Sequence, residues 1–230
     1  MKNKLLVIVL AGLALLILPF IAQQFGNAWV RIIDIALLYV LLALGLNIVV
    51  GYAGLLDLGY VAFYAVGAYM YALMASPHLS ETFAGFKALF PDGLHTPIWV
   101  VIPLGAGFAA IAGVLLGMPV LKLRGDYLAI VTLGFGEIIR VFLNNLEHPV
   151  NITNGPRGLD RIDPMNIFGF SFGKAIEIGD FRIPSVTLYY WLFLALVVGS
   201  LLVCWRLETS RIGRAWVAIR EDEIAAKAMG

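Results

Sequence analysis

The sequence predicts an all-α integral membrane protein of about six transmembrane helices, one broken by glycine, followed by a charged helical segment. Three observations carry that expectation. Apolar residues make up 61% of the chain and charged residues 13%, against about half and a quarter in soluble domains. Mean hydropathy is +0.90. The apolar residues also gather in runs of membrane-crossing length, and charge concentrates in the connections and after Leu207. A net charge of +1 without a basic tract argues against nucleic acid as a partner. The single cysteine, Cys204, excludes an internal disulfide or thiolate cluster, and His78, His95 and His148 lack metal-ligand spacing.

Taken in order, residues 5–22 form an apolar run behind Lys2 and Lys4. A cleaved signal peptide is the rival reading, but the run is long and no A-x-A site follows it, so it is read as the first span. Residues 30–50 form the second, with Arg31 and Asp34 spaced to pair at its start. Residues 51–75 open GYAGLLDLGY, where Gly51, Gly54 and Gly59 surround Asp57. Glycines inside an apolar run predict a discontinuous helix, tolerated at membrane depth only where protein or a water-filled cavity covers the exposed backbone. Transport pathways use such segments. The competing reading is a tight turn with Asp57 at the aqueous boundary.

Residues 76–97 read as a polar loop and 98–120 as the fourth span, with Ala109, Gly113 and Gly117 making a small-residue face for close packing. Lys122, Arg124 and Asp126 mark a short polar turn, and Asp126 is the expected N-cap of the fifth span, residues 127–146. That span places Glu137 and Arg140 on one face, three residues apart. A carboxylate at membrane depth needs a partner or a function, and the spacing allows either. Gly134 and Gly136 are half of a dinucleotide fingerprint, without its third glycine or its βαβ setting, and carry no such function. Residues 147–184 form a long hydrophilic excursion, a lid or a docking surface, in which Asn154-Gly155-Pro156 and Gly158 are turn chemistry. Residues 185–205 form the sixth span.

Residues 207–230 turn charged without losing helical character. Glu221, Asp222 and Glu223 are expected near a helix N-terminus, with Lys227 four residues after Glu223. Ala225, Ala226 and Ala228 leave a thin face, and Gly230 suits a helix stop. A thin-faced charged helix directly after a span is shaped for another protein's groove. An amphipathic helix on the membrane surface is the rival.

The stretch from Arg214 to Gly230, with its core AIREDEIAAKAMG, resembles the cytoplasmic coupling loop of ATP-binding-cassette importer permeases, and more narrowly the branched-chain amino-acid uptake family. GYAGLLDLGYVAFYAVGAY and TNGPRGL are similar to further signatures of that family, so the resemblance runs from about Gly51 to Gly230. It implies one permease domain over residues 1–230 that carries leucine, isoleucine and valine by alternating access. It also implies a coupling helix docked on an ATPase subunit through Arg214, Arg220, Glu221, Asp222, Glu223, Ala225, Ala226, Lys227 and Gly230. Thr153, Asn154, Gly155 and Gly158 would lie on the outer side. The implied partners are ABC ATPase subunits, a second permease subunit, a periplasmic binding protein and membrane lipid.

No GxxxxGK[ST] loop occurs in the chain, so ATP belongs to the partner and this subunit is expected to bind no cofactor and to be no enzyme. The resemblance implies the bacterial inner membrane, and the bias of basic residues leads us to expect the N-terminus and the coupling segment in the cytoplasm. In the family the chain continues into further membrane helices, so the resemblance implies a sequence truncated at Gly230. Urea or short amides are the alternative cargo. A secondary transporter using Glu137 or Asp57 as its coupling acid is the alternative machine.

Overall fold

Without water to bond an exposed backbone, apolar runs fold as helices that satisfy themselves. The computed structural model of the chain describes residues 2–120, 123, 125–178 and 181–228, and its residues group into two compact units. Three described helices have the length and apolarity of a membrane crossing: Asn27–Tyr52, Ile98–Leu115 and Ser185–Thr209.

The first unit comprises residues 1–48 and 172–230. It holds α1 (Lys2–Gln24), α2 (Asn27–Asn47) and α8 (Ser185–Thr209). Val30, Ile33 and Leu37 recur at helical spacing on α2 and pack against Tyr190 and Leu194 of α8. Pro19 lies inside α1 and has no N–H for the carbonyl of Leu15, four residues back. The Tyr190 hydroxyl donates to that carbonyl at 2.7 Å. Gln23 Nε2 donates to Thr187 Oγ1, and Phe20 meets Trp191 edge to face at 5.7 Å between ring centres. The vacancy that proline leaves in α1 thus becomes a tie to α8.

Arg31 and Asp34 do not pair. Asp34 falls on the buried stripe of α2, whereas Arg31 lies on its exposed side. Asp34 Oδ1 has no hydrogen-bond partner among the described residues. Spacing permits an i,i+3 pair, but burial of one member on a packed stripe separates the two.

The second unit comprises residues 49–171. It holds α3 (Val61–Met74), α4 (His78–Thr82), α5 (Ala84–Leu89), α6 (Ile98–Val120) and α7 (Asp126–Asn145). A small hairpin follows, β1 (Asn166–Ile167) paired antiparallel with β2 (Phe170–Ser171). The expected polar loop at 76–97 therefore contains two short helices. The small-residue face of α6 meets α3, where a Cβ added at Gly113 would lie 3.7 Å from Phe63. Gly125, with φ of 59°, is the N-cap of α7, and Asp126 is its first helical residue. This corrects the expected cap: only glycine tolerates that dihedral without strain, and no side-chain cap bond forms. Lys122, Arg124 and Gly230 lie outside the described residues.

The loops around the ends of α3 and α7 are cross-linked by polar groups. Asp163 N–H donates to Ala75 O at 2.7 Å, and the Tyr71 hydroxyl to Asp163 O at 2.9 Å. Arg161 meets Glu81 at 2.8 Å. His95 Nδ1 bonds the Asp163 carboxylate, and its Nε2 lies 2.9 Å from Asp92 O. The Asp163 carboxylate, then the Asp92 carbonyl, raise the His95 pKa above its ordinary 6.5. A raised folded-state value means that protonation favours the folded loop: the stabilisation is complete below the unfolded value and fades as pH climbs through the folded one. Melting of the purified protein should therefore separate wild type from His95→Gln at acidic pH, with the two curves converging at alkaline pH. A gap that does not change with pH would remove this clamp.

After α7 come β3 (Ile176–Ile178) and β4 (Phe181–Ile183), a second antiparallel hairpin, belonging to the first unit. α8 then runs to Thr209, past the expected end at Trp205. Two helices follow rather than one: α9 (Arg211–Glu221) and α10 (Glu223–Ala228). Asp222, with φ of −155°, ends α9, and its Oδ1 accepts from the N–H groups of Ile224 (2.8 Å) and Ala225 (3.1 Å). Of the three clustered acids, Asp222 therefore caps α10 in agreement with its dipole. Glu221 instead sits at the C-terminal end of α9, contrary to expectation. The side chains of Glu223 and Lys227 lie outside the described set.

Candidate functional site

The glycine-rich stretch after the second span is a break in the helix. α2 continues through a π-helical turn at Ile48–Tyr52, residues 53–60 leave helical geometry, and α3 begins at Val61. The expected third span thus shrinks to the 14 residues of α3, about 21 Å of helix against a hydrocarbon core of about 30 Å. Gly54, with φ of 69°, takes the left-handed turn.

A break of this kind exposes backbone donors, each costing several kcal/mol if left unpaired in an apolar medium. Here several of them are paired. Leu55 N–H donates to Val49 O at 3.2 Å. Asp57 Oδ1 accepts from Gly59 N–H at 2.9 Å. Leu58 N–H donates at 3.0 Å to Thr132 Oγ1 on α7, and that hydroxyl donates to Ala129 O at 3.1 Å. Asp57 therefore shapes the turn with one oxygen.

Gly59 brings the break into direct contact with α7. A Cβ there would stand 2.3 Å from Thr132 O, and one on Gly136 would stand 3.4 Å from Gly59 Cα. Thr132 and Gly136 are one helical turn apart, the small-xxx-small spacing that lets backbones approach. In the sequence Gly136 stands out only as half of a dinucleotide motif and Thr132 not at all; their small-xxx-small spacing is the signal that marks both. One side of the break opens on a cavity of about 200 Å³ lined by Leu55, Asp57, Phe63, Gly117, Thr132 and Phe135. Its walls are apolar apart from Asp57 and Thr132.

Another cavity, of about 360 Å³, is bordered by Leu58, Tyr69, Gly136, Glu137, Arg140 and Asn144. Glu137 and Arg140 form a bidentate fork, Nε to Oε2 at 2.9 Å and Nη2 to Oε1 at 2.6 Å. Their side chains are 56% and 66% exposed, so the pair faces outward on α7 rather than into its packing. We expect Arg140→Gln to lower the yield of folded, membrane-extracted protein several-fold more than Glu137→Gln. In Glu137→Gln the new amide oxygen still offers Arg140 an acceptor, and arginine's long stem can carry an unpaired charge toward the helix end. Arg140→Gln instead strands a short carboxylate in mid-helix. Equal yields of the two variants would contradict that asymmetry.

The TNGPRGL string caps the other end of α7. Thr153 is buried and donates to Leu143 O at 2.6 Å, while Ile152 N–H reaches Leu146 O at 2.9 Å. These bonds take up carbonyls that a helix end leaves unpaired. Asn154 adopts the left-handed conformation at φ of 60°, and its side-chain amide donates to Gly158 O at 2.8 Å. A Cβ on Gly155 would meet Glu147 Oε2 at 2.8 Å. Among the described residues no histidine, cysteine and carboxylate group gathers as a metal site.

With this geometry in view, comparison with known proteins is decisive. The family model for the permease component of branched-chain amino acid transport systems matches residues 29–230. The chain belongs to that family. It is 43% identical over 242 aligned residues to the high-affinity branched-chain amino acid transport system permease protein LivM of Escherichia coli (strain K12), an alignment covering 100% of this chain and 51% of the relative. The LivM protein of Salmonella typhimurium (strain LT2) is similar to the same degree, 43% with the same coverage. The chain thus spans about half the length of the curated relatives it matches. No solved structure matches it. As a permease-family member with apolar, membrane-length helices, it is a helical membrane protein.

Proposed function

We propose that this permease is the membrane-spanning subunit of an ATP-driven ABC importer, translocating leucine, isoleucine and valine delivered by a periplasmic binding protein. The observation that carries the reading is 43% identity along the whole chain to high-affinity branched-chain amino acid permeases. The helix break and its cavity add to it, since backbone broken at membrane depth is tolerated only where protein or a water-filled path covers it.

On this reading the chain is a single permease domain in the bacterial inner membrane, working beside a second permease subunit. α1, the broken segment around α3, and α7 cross together with the three long apolar helices, giving six spans. The N-terminus and residues 207–230 face the cytoplasm. Asp57, with Thr132, borders the solute path. Glu137 and Arg140 face an aqueous cavity or the second subunit, because an exposed ion pair is expensive in lipid. Thr153, Asn154, Gly155 and Gly158 hold the outer loop on which the binding protein lands.

ATP is bound and spent by partner ATPase subunits, and this chain holds no cofactor of its own. α9 and α10 form the handle, with Arg214, Arg220, Glu221, Asp222, Glu223, Ala225, Ala226, Lys227 and Gly230 at the contact. Closure of the ATPase dimer moves this segment, and the spans reorient because the two states differ in their contacts at that interface. The bidentate fork to Arg140 leaves Glu137 without the free acid that proton coupling would use, which weighs against a secondary transporter.

The test is uptake of labelled leucine and of labelled urea, in cells with and without the gene, each with vanadate and with a protonophore. Leucine uptake lost with the gene and blocked by vanadate is the expected result. Urea uptake would keep the machine and replace the cargo. Vanadate-resistant, protonophore-sensitive uptake would overturn the mechanism.

A further inference from the structure

We propose that the corner between α8 and α9 binds an anionic phospholipid, its phosphate held by Arg206 and Arg211. One acyl chain would lie along an apolar groove of about 500 Å³ lined by Leu202, Val203, Trp205, Leu207 and Ile212. This inference rests on α8 crossing the membrane, and not on the identity of the solute or on ATPase docking.

The sequence pattern comes first. α8 stays apolar to Trp205 and then turns basic: between Leu202 and Arg220 there are four arginines, at 206, 211, 214 and 220, and one acid, Glu208. Glu208 is two residues from Arg206 and so points to the opposite side of α8. A tryptophan followed by arginine at the end of an apolar helix is the pattern of a membrane–water boundary, where the ring sits at headgroup level and the guanidinium reaches outward.

The structure gives that pattern a shape. Leu202, Val203 and Trp205 are 57%, 55% and 63% exposed, so the groove continues the outward surface of α8. α9 leaves the corner with Ile212, Ala215 and Ile219 on one exposed face, and Arg211 flanks that face. That apolar face would let the start of α9 meet the headgroup layer while its opposite side stays open to a protein partner.

The arginines are not equivalent. Arg214 donates to Thr209 O at 2.7 Å and Arg220 approaches Glu221 at 3.7 Å. Arg206 and Arg211 have no side-chain ion pair or hydrogen bond among the described residues, so two cations stand uncommitted, Arg206 on the lining of the apolar groove and Arg211 next in the chain to its lining residue Ile212. Charge and shape together fit a phosphate attached to an acyl chain rather than an acidic peptide, which would leave the groove empty.

The experiment is native mass spectrometry of the purified full chain in detergent, offered equal amounts of dioleoylphosphatidylglycerol and dioleoylphosphatidylcholine. The expected result is selective retention of the phosphatidylglycerol. Retention should fall about fivefold in Arg206→Gln and about thirtyfold in the Arg206→Gln/Arg211→Gln pair, at the usual strength of one arginine near an anionic surface. Raised salt should weaken it, and Arg157→Gln, in the loop after α7, should leave it unchanged. Equal retention of both lipids, or no change in the double variant, would overturn the proposal. So would a double variant that keeps its lipid but loses ATPase co-purification, which would assign this surface to a protein.

Discussion

Gly213→Ala is expected to release residues 211–228 from α8 while leaving membrane insertion intact. A Cβ at this position would lie 2.0 Å from Leu207 O, 2.9 Å from Leu207 C and 3.2 Å from Glu208 Cα. All three are backbone atoms of the last turns of α8, which cannot swing aside as a side chain can. Ser210 holds the corner from the other side: its Oγ donates to Leu207 O at 2.6 Å and accepts from Gly213 N–H at 3.0 Å. Forcing a methyl group into this knot costs on the order of 3 kcal/mol. Removing the cap alone in Ser210→Ala costs about 1 kcal/mol and provides a graded comparison. Two readouts follow. Trypsin should cut faster at Arg211, Arg214 and Arg220, and co-purification with the ATPase subunits should fall at least tenfold at unchanged insertion. Faster cutting with unchanged co-purification would keep the corner and remove ATPase docking from this segment.

Gly59→Ala is expected to abolish both transport and most of the folded protein. The added Cβ would stand 2.3 Å from the carbonyl oxygen of Thr132 and 3.0 Å from its carbon. That carbonyl belongs to the α7 backbone, so relief comes by lifting the break away from α7. The lift takes Leu58 N–H from Thr132 Oγ1, now 3.0 Å away, and an unpaired donor in an apolar site adds about 1–3 kcal/mol to the steric cost. Thr132→Val isolates the second effect, removing the acceptor at nearly constant volume, and should lose about 1–2 kcal/mol. Gly67→Ala on α3 meets nothing within 4 Å and should be tolerated or slightly stabilising. Monodisperse yield after extraction, beside leucine uptake, ranks the three. A Gly59→Ala protein that folds as well as Gly67→Ala would mean that the break does not rest on α7.

Much of the molecule was legible before its structure. A run such as residues 98–120 forms a helix because nothing else in an apolar medium pairs its backbone, and α6 spans Ile98–Val120. Gly51, Gly54 and Gly59 announced an interruption, and Glu137 with Arg140 announced a pair; both are present. These are local statements, decided within a few turns of helix.

What the sequence by itself determined is therefore the medium, the long apolar helices such as α2, α6 and α8, the place of the break and, through its motifs, the family. Only tertiary structure decided which helix each irregularity rests on. Asp34 is turned from Arg31 by burial on the α2 stripe, and the carbonyl left over by Pro19 is bonded by Tyr190, far along the chain. Gly59 and Gly213 are compelled by carbonyls at Thr132 and Leu207 rather than by any turn of their own. The reason is physical. Helix formation follows from neighbours within four residues, whereas a freed donor or a close backbone approach is resolved by whichever element packing brings near, and that pairing leaves only the weak mark of a small residue.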